Sequence, residues 1–290
     1  MDPILVEVVR GTVVEARHRV HAVAVRDGAV VASAGEPSLV AYFRSCAKPI
    51  QALPVLRARD DLTEEEVAIA CASHRARPDQ LVPVRSLLAK APATEDDLEC
   101  GPDPTRLEHN CSGKHAAMLA LCRAKGWPTE GYRLPSHPCQ ETMLAEVAAA
   151  VEVEPQSMPT VADGCGVVTF ALTLERMAHA FSRMRTLEGG EIVVCAMSAH
   201  PELIRGPGAA DTELMRLHPG WIAKGGAEGL LSASSPDGLG IALKVEDGAG
   251  RAVRSALASF LVRLGLDPGA LGTVPLENSR GDVVGEIRAA

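Results

Sequence analysis

Lysine is scarce in this chain. Six of its 29 basic residues are lysines, at positions 48, 90, 114, 125, 224 and 244, and the others are arginines. Aromatic residues are only 3%, which removes the stacking platforms that base- or sugar-binding surfaces use. A positive balance is also missing. The net charge is −8 and the pI is near 5.6, which argues against a nucleic-acid partner or an anionic membrane surface. No apolar run approaches the roughly 20 residues of a membrane span. The opening "MDPILVEVVRG" has no basic n-region and no long apolar segment, so the expected location is cytoplasmic. There, the eight cysteines (46, 71, 100, 111, 122, 139, 165 and 195) are expected as free thiols or ligands rather than disulfides. No C-x-x-C pair occurs, which excludes a zinc ribbon or a thioredoxin motif.

What remains is ordinary for a folded chain. Its 290 residues are 47% hydrophobic and 23% charged, enough for a core without staples. No repeat, low-complexity tract or linker interrupts it, so residues 1–290 read as a single domain. Strand signals open the chain: "ILVEVV", "VHAVAV" and "AVVASAG", the last two joined by Asp27-Gly28 as a hairpin. Helical patterns follow: "AKPIQALPVLRA", interrupted by prolines, then "LTEEEVAIACAS", where Thr63 and Glu66 have capping-box spacing. "PDQLVPVRSLLAKA", "KHAAMLALCRAKG", "HPCQETMLAEVAAAVEV", "FALTLERMAHAFSRM", "GEIVVCAMSAHPELI" and "DTELMRL" also read as helices. Strands return in "GWIAKGG", "GLGIALKVEDG" and "GDVVGEI", with the helix "RAVRSALASFLVRLG" before the last. Strands at both ends and helices between them predict an α/β (α+β) fold: a largely antiparallel sheet from both termini, covered by helices. A doubly wound parallel fold would alternate more evenly.

The scarcity of lysine makes "RSCAKPIQ" conspicuous, because it sets Lys48 three residues after Ser45. On a helix the two share a face. A serine hydroxyl attacks well only when a base takes its proton. Lysine can be that base once burial or a neighbouring cation lowers its pKa; arginine cannot, because it does not deprotonate. S-x-x-K is common by chance, but "WIAKGGAEG" adds Lys224 on a late strand ending in glycines that permit close approach. The order S-x-x-K early and K-G-G late is that of penicillin-recognising serine enzymes. Their middle S-D-N element has no literal copy; "CASHRA" offers Ser73 and His74 in that part of the chain, where Ser73 also reads as a turn serine.

A third piece is "EHNCSGKHAAM". Asn110 or Ser112 could cap a helix starting near Gly113, with Cys111, Lys114 and His115 beside its first turn. "ADGCG" then supplies Asp163 and Cys165 in a glycine-flanked loop. Two thiolates with nitrogen donors could hold zinc, with Asp163 orienting them from outside. Free cysteine is equally a small core hydrophobe, and Cys46, Cys71, Cys122, Cys139 and Cys195 read that way.

In this order "RSCAKPIQ", "ASH", "HNCSGKHAAML", "DGCG" and "KGGAEG" resemble the asparaginase II-type family, the rhizobial-type class 3 L-asparaginases, along essentially the whole chain. The resemblance implies a serine β-lactamase- and glutaminase-like fold, a small-molecule substrate, L-asparagine, and a homodimer. It implies Ser45 as nucleophile with Lys48 as its base, and Ser73 and Lys224 as a second pair facing the first. Cys111, Lys114 and Cys165 would hold Zn²⁺, and Arg44, His74, Asp163 and His115 would line the substrate side. Lysine binds a metal only as the neutral amine, so Lys48, Lys114 and Lys224 would all fill roles that arginine cannot. Rival readings are a glutaminase or another amide or β-lactam serine hydrolase of this fold, and a non-catalytic zinc- or ligand-binding protein. The chain departs from the family at Arg75-Ala76-Arg77, where relatives often carry a small residue and then an acid, and at Ala209, where they tend to carry arginine. Both departures bear on how the α-amino and α-carboxylate groups of a substrate are held.

Overall fold

The computed structural model describes residues 1–290. Its strands are β1 Ile4–Arg10, β2 Val13–Arg26, β3 Ala29–Ala34, β4 Val40–Tyr42, β5 Thr160–Ala162, β6 Val168–Thr173, β7 Ile222–Gly226, β8 Leu230–Ser234, β9 Gly240–Val245, β10 Val274–Glu277 and β11 Val283–Ala289. Its helices are α1 Lys48–Gln51, α2 Leu53–Ala58, α3 Glu64–Ala70, α4 Pro78–Lys90, α5 Ser112–Lys125, α6 Pro138–Val151, α7 Leu174–Ser182, α8 Gly190–Ala199, α9 Pro201–Ile204, α10 Ala210–Leu217 and α11 Val253–Arg263.

The first and last strands meet in one sheet of order β10-β11-β1-β2-β9-β8-β7, with β3 also paired to β2. Its pairings are antiparallel. This is the predicted α/β arrangement, built from both termini. The hairpin between β2 and β3 turns on Asp27 and Gly28, both at positive φ (51° and 76°), as a two-residue turn of the primed type requires. Val20–Val25 of β2 are buried at successive positions and β9 nearly so, so helices cover both faces there. Helix α7 crosses β2, β8 and β9; α11 crosses β1, β9 and β11; α10 lies against β7. No helix is long and apolar enough to cross a membrane.

Several local expectations are corrected. The stretch "FALT" is the end of β6, not the start of a helix. Strand β6 pairs with β4 and β5 in a small second sheet, and α7 begins only after Thr173, whose hydroxyl caps it. A short apolar run carries no period that tells strand from helix. The same limit hid β8, which is buried at every residue. Helix α5 starts at Ser112, and its N-cap is Cys111 without a side-chain cap; neither Asn110 nor Ser112 serves. Pro201 divides "GEIVVCAMSAHPELI" into α8 and α9. Cys195 is exposed on α8 rather than in the core, while Cys46, Cys71, Cys122 and Cys139 are buried. The Thr63–Glu66 capping box forms as expected.

Candidate active site

The S-x-x-K segment lies between the small sheet and β7. Ser45 sits in a 3₁₀ turn, Arg44–Ala47, and Lys48 is the first residue of α1. Arg44, just before the serine, has φ 48°, a left-handed conformation that costs a non-glycine residue roughly 1–3 kcal/mol. Two contacts hold it there. Its N–H donates to Thr169 Oγ1 at 3.0 Å, and its Nε donates to Asp163 Oδ1 at 2.6 Å. On the other side, the Cys46 thiol donates to the Lys224 carbonyl at 2.9 Å. A Cβ on Gly226 would lie 3.2 Å from Cys46 Sγ, so glycine lets the serine turn press onto β7.

Ser73 lies just beyond α3, with its N–H bonded to Ile204 O at 2.9 Å. Its hydroxyl oxygen is shared by two buried amines: Lys48 Nζ at 3.1 Å and Lys224 Nζ at 2.9 Å. Lys48 Nζ also donates to the Ala72 carbonyl and Lys224 Nζ to the Gly225 carbonyl. Both lysines are fully buried. Burial pushes the Lys224 pKa down to about 8, with the Lys48 charge adding to the effect and Asp211 opposing it. Lys48 is also lowered, first by burial, against the nearby Cys111. Both shifts move the amines toward the proton-accepting form. Ser45 is half-buried, more open than Ser73, and its hydroxyl is not among the bonded groups of this cluster.

His74 is held rather than free. Its Nδ1 accepts the Ala76 N–H at 3.1 Å, which leaves the proton on Nε2 to donate to Ser112 Oγ at 2.8 Å. Burial lowers its pKa to about 3, with the Lys48 charge contributing. Sequence reasoning missed Asp211. It is buried at the start of α10, accepts the Gly225 N–H at 2.9 Å, and its charge is the main one opposing the loss of the Lys224 proton. Only its position after a glycine-rich turn could have flagged it.

The second cluster adjoins the first. Lys48 and Lys114 line one enclosed cavity of about 10 Å³, roughly the room of a single water. Lys114 Nζ donates to Cys165 Sγ at 3.2 Å. A hydrogen bond from Cys111 pulls the Cys165 pKa down to about 4 against burial, and the Lys114 charge helps. Burial disfavours the Lys114 ammonium, but Cys165, Cys111 and Asp163 outweigh it, and its pKa is raised. The pair therefore stands as thiolate and ammonium. Asp163 is lowered despite its burial, through Lys114 and Arg44. His115 Nδ1 lies 2.6 Å from the Tyr132 hydroxyl, and its Nε2 is buried without a partner. No group of three His, Cys, Asp or Glu side chains is gathered here in metal-binding geometry, so a metal would need Lys114 as a donor. Two sulfurs and an amine in one buried cluster are a donor set that suits Zn²⁺.

A groove of about 450 Å³ beside α3, α4 and α9 holds none of these residues. Glu65, Glu66, Asp79 and Glu202 line it, and the last three are paired with Lys90, Arg77 and Arg216.

The family model for L-asparaginase II matches residues 6–289. The chain belongs to the L-asparaginase II family. That membership makes it a hydrolase of the amidohydrolase kind. No curated protein matches the chain significantly. Among solved structures, a β-lactamase from Mycobacterium bovis is 14% identical, with 85% of this chain and 95% of that one covered at a TM-score of 0.49. EstCE1, a hydrolase with promiscuous acyltransferase activity, is 10% identical over 80% of this chain and 90% of its own, with a TM-score of 0.43. An octameric penicillin-binding protein homologue from Pyrococcus abyssi is 13% identical over 87% and 74%, with a TM-score of 0.37.

Proposed function

We propose that this asparaginase II family member hydrolyses the side-chain amide of L-asparagine to aspartate and ammonia by acyl transfer through Ser45. The observation that carries this reading is the Ser73 hydroxyl held between Lys48 and Lys224 at 3.1 and 2.9 Å. One serine on two buried amines of lowered pKa is a proton relay. Ser45 is the more open hydroxyl and takes the role of nucleophile. Lys48, as a neutral amine, accepts the Ser45 proton while Oγ bonds to the amide carbon. The C–N bond then breaks, Ser73 protonates the leaving nitrogen, and a lysine restores the Ser73 proton. Water attacks the ester by the reverse relay, releasing aspartate and the Ser45 hydroxyl. Of the four residues expected on the substrate side, Arg44 and Asp163 are proposed to meet the substrate's charged groups; His74 and His115 are buried and bonded to Ser112 and Tyr132 and are proposed to support the site from behind.

Cys111, Lys114 and Cys165 would hold Zn²⁺, with Asp163 and His115 beside them. When bound, the metal supplies Lewis-acid polarisation of an oxygen ligand. Lys114 must lose its proton for this, so binding strengthens as pH rises. The same reading takes the chain as a cytoplasmic homodimer.

A second reading makes Ser73 the nucleophile, because its hydroxyl is the one already on the amines. Ammonia release from asparagine, with glutamine and a β-lactam beside it, tests the function. Ser45→Ala is expected to lose activity by about 10²-fold or more and to trap no acyl-enzyme. Full activity in Ser45→Ala with loss in Ser73→Ala would transfer the role to Ser73. Equal near-zero release by wild type and both variants would favour a non-catalytic binding protein. Elemental analysis of purified Cys165→Ser is expected to show zinc lost, and undiminished zinc would remove the metal site.

A further inference from the structure

A second cavity, of about 290 Å³, lies behind strand β7. Its wall includes both Gly225 and Gly226, the two residues after Lys224. Four arginines line the cavity: Arg75, Arg205, Arg251 and Arg254. The single acid in its wall is Asp211, and that carboxylate is engaged. Its oxygens accept the Gly225 N–H at 2.9 Å and the Thr212 N–H at 3.0 Å.

The four guanidinium groups have no carboxylate partner. Arg75 donates to the Pro207 carbonyl at 3.1 Å. Arg251 donates to the His18 ring at 3.0 Å. Arg254 donates to the Ala270 carbonyl at 2.6 Å, and its Nε is buried without a partner. Arg205 ends 3.9 Å from where a Cβ on Gly225 would stand, with no side-chain hydrogen bond of its own. Elsewhere in this acidic chain arginines are mostly paired, as in Arg17–Glu7, Arg57–Glu146, Arg59–Asp61 and Arg183–Glu152. Arg75 and Arg251 are exposed at its rim, whereas Arg205 and Arg254 are half-buried, and holding half-buried cations unpaired in one concavity is unfavourable unless an anion neutralises them. Helix α11 also begins at this cavity without a side-chain cap, so its partial positive charge adds to the field, whereas Asp211 and Glu213 already occupy the first turn of α10. Between the arginines the wall is apolar, with Leu231, Val253 and Ile287, which suits a short carbon skeleton better than a bare inorganic ion.

We propose that this arginine-lined cavity, which adjoins the reaction centre across β7 but is lined by none of Ser45, Lys48, Ser73 and Lys224, is a binding site for a small organic dianion, two carboxylates on a short apolar backbone. The planar guanidinium fork of Arg205 takes one carboxylate bidentately. Arg254 and the start of α11 take the other. Two negative charges bring the excess of three cations to one.

Isothermal titration of the full-length protein with succinate, glutarate, acetate and inorganic phosphate tests the site without any turnover. Its outcome is therefore independent of what Ser45 does. Saturable succinate or glutarate binding is expected, at least tenfold tighter than acetate. Arg205→Ala is expected to weaken it tenfold or more, and Arg205→Lys less. Arg205 supports nothing else through hydrogen bonds, so its variants keep the fold, which thermal melts followed by circular dichroism confirm. Ser45→Ala is expected to bind as wild type does. No saturable binding of either dicarboxylate would overturn the proposal. So would unchanged affinity in folded Arg205→Ala, or loss in Ser45→Ala, which would place the anion at the reaction centre. Phosphate binding without dicarboxylate binding would overturn the assigned ligand class.

Discussion

The proposed chemistry rests on the difference between an amine and a guanidinium. Lys48 and Lys224 are fully buried around one serine hydroxyl, a position where only a cation able to shed its proton is tolerable. Lys48→Arg keeps the charge but not the base. It is expected to cut ammonia release by about 10²–10⁴-fold, measured at saturating asparagine on protein that still melts cooperatively. The pH profile follows from the same shifts. A general base works in its neutral form, and the ordinary lysine value is 10.5, while Lys224 is pushed down to about 8. Lys48, the proposed base for Ser45, is lowered by burial as well, so the rising limb of kcat/KM is expected below lysine's ordinary value. A limb at lysine's ordinary value would mean that the amines are not desolvated in the working enzyme. Stability carries the opposite side of the same linkage. Because the folded pKa lies below the unfolded one, the unfolded chain binds more protons between about pH 8 and 10.5, and folding stability rises with pH across that window.

Among elements, the contact that sets the site is the start of α5 against the end of α3. A Cβ on Gly113 would overlap the Ile69 carbonyl oxygen, so the glycine of "NCSGKH" is what lets Cys111, Lys114 and Ser112 come close to Ser73 and His74. Gly113→Ala is expected to destabilise the protein by about 1–3 kcal/mol, read from denaturant midpoints, and to reduce activity as α5 moves away. A neutral result would mean that α5 is free to shift without disturbing the site. The legibility of the sequence follows the same physics. The helices with long periods and the capping box were readable, and so were the strand-rich ends. The lysines were readable because each stood where arginine was the chain's habit. What escaped depends on long-range placement. No spacing puts one serine between Lys48 and Lys224, makes Asp211 the countercharge, or gathers four arginines from the loop after His74, the α9–α10 turn and the start of α11. Strand β8 escaped for a simpler reason: burial on both faces erases alternation.

On the scale of the whole molecule, the central sheet joins residues made at opposite ends of synthesis. Strand β2 pairs with β9, from Val20↔Val245 to Val25↔Gly240, and β1 pairs with β11. Contacts of such separation form slowly, because the intervening chain must be closed into a loop first. A chain ending before Gly240 would keep β2 with one edge unpaired and Lys224 with half of its sheet absent. Such a truncated chain is expected to pellet on centrifugation and to release no ammonia, whereas the full chain stays in the supernatant. A soluble, cooperatively melting truncation would show that β9 and β11 are dispensable.

The β1–β2–β3 meander is translated first and must wait for its neighbours. As the ribosome works through more than 200 residues, a valine-rich ribbon stands in the cell with open edges on both sides, a template for any other nascent copy beside it. At about 5–20 residues per second, that interval lasts on the order of ten seconds or more. Yield of this protein is thus expected to respond to what shields that ribbon in the meantime: chaperone supply, slower initiation, or lower growth temperature.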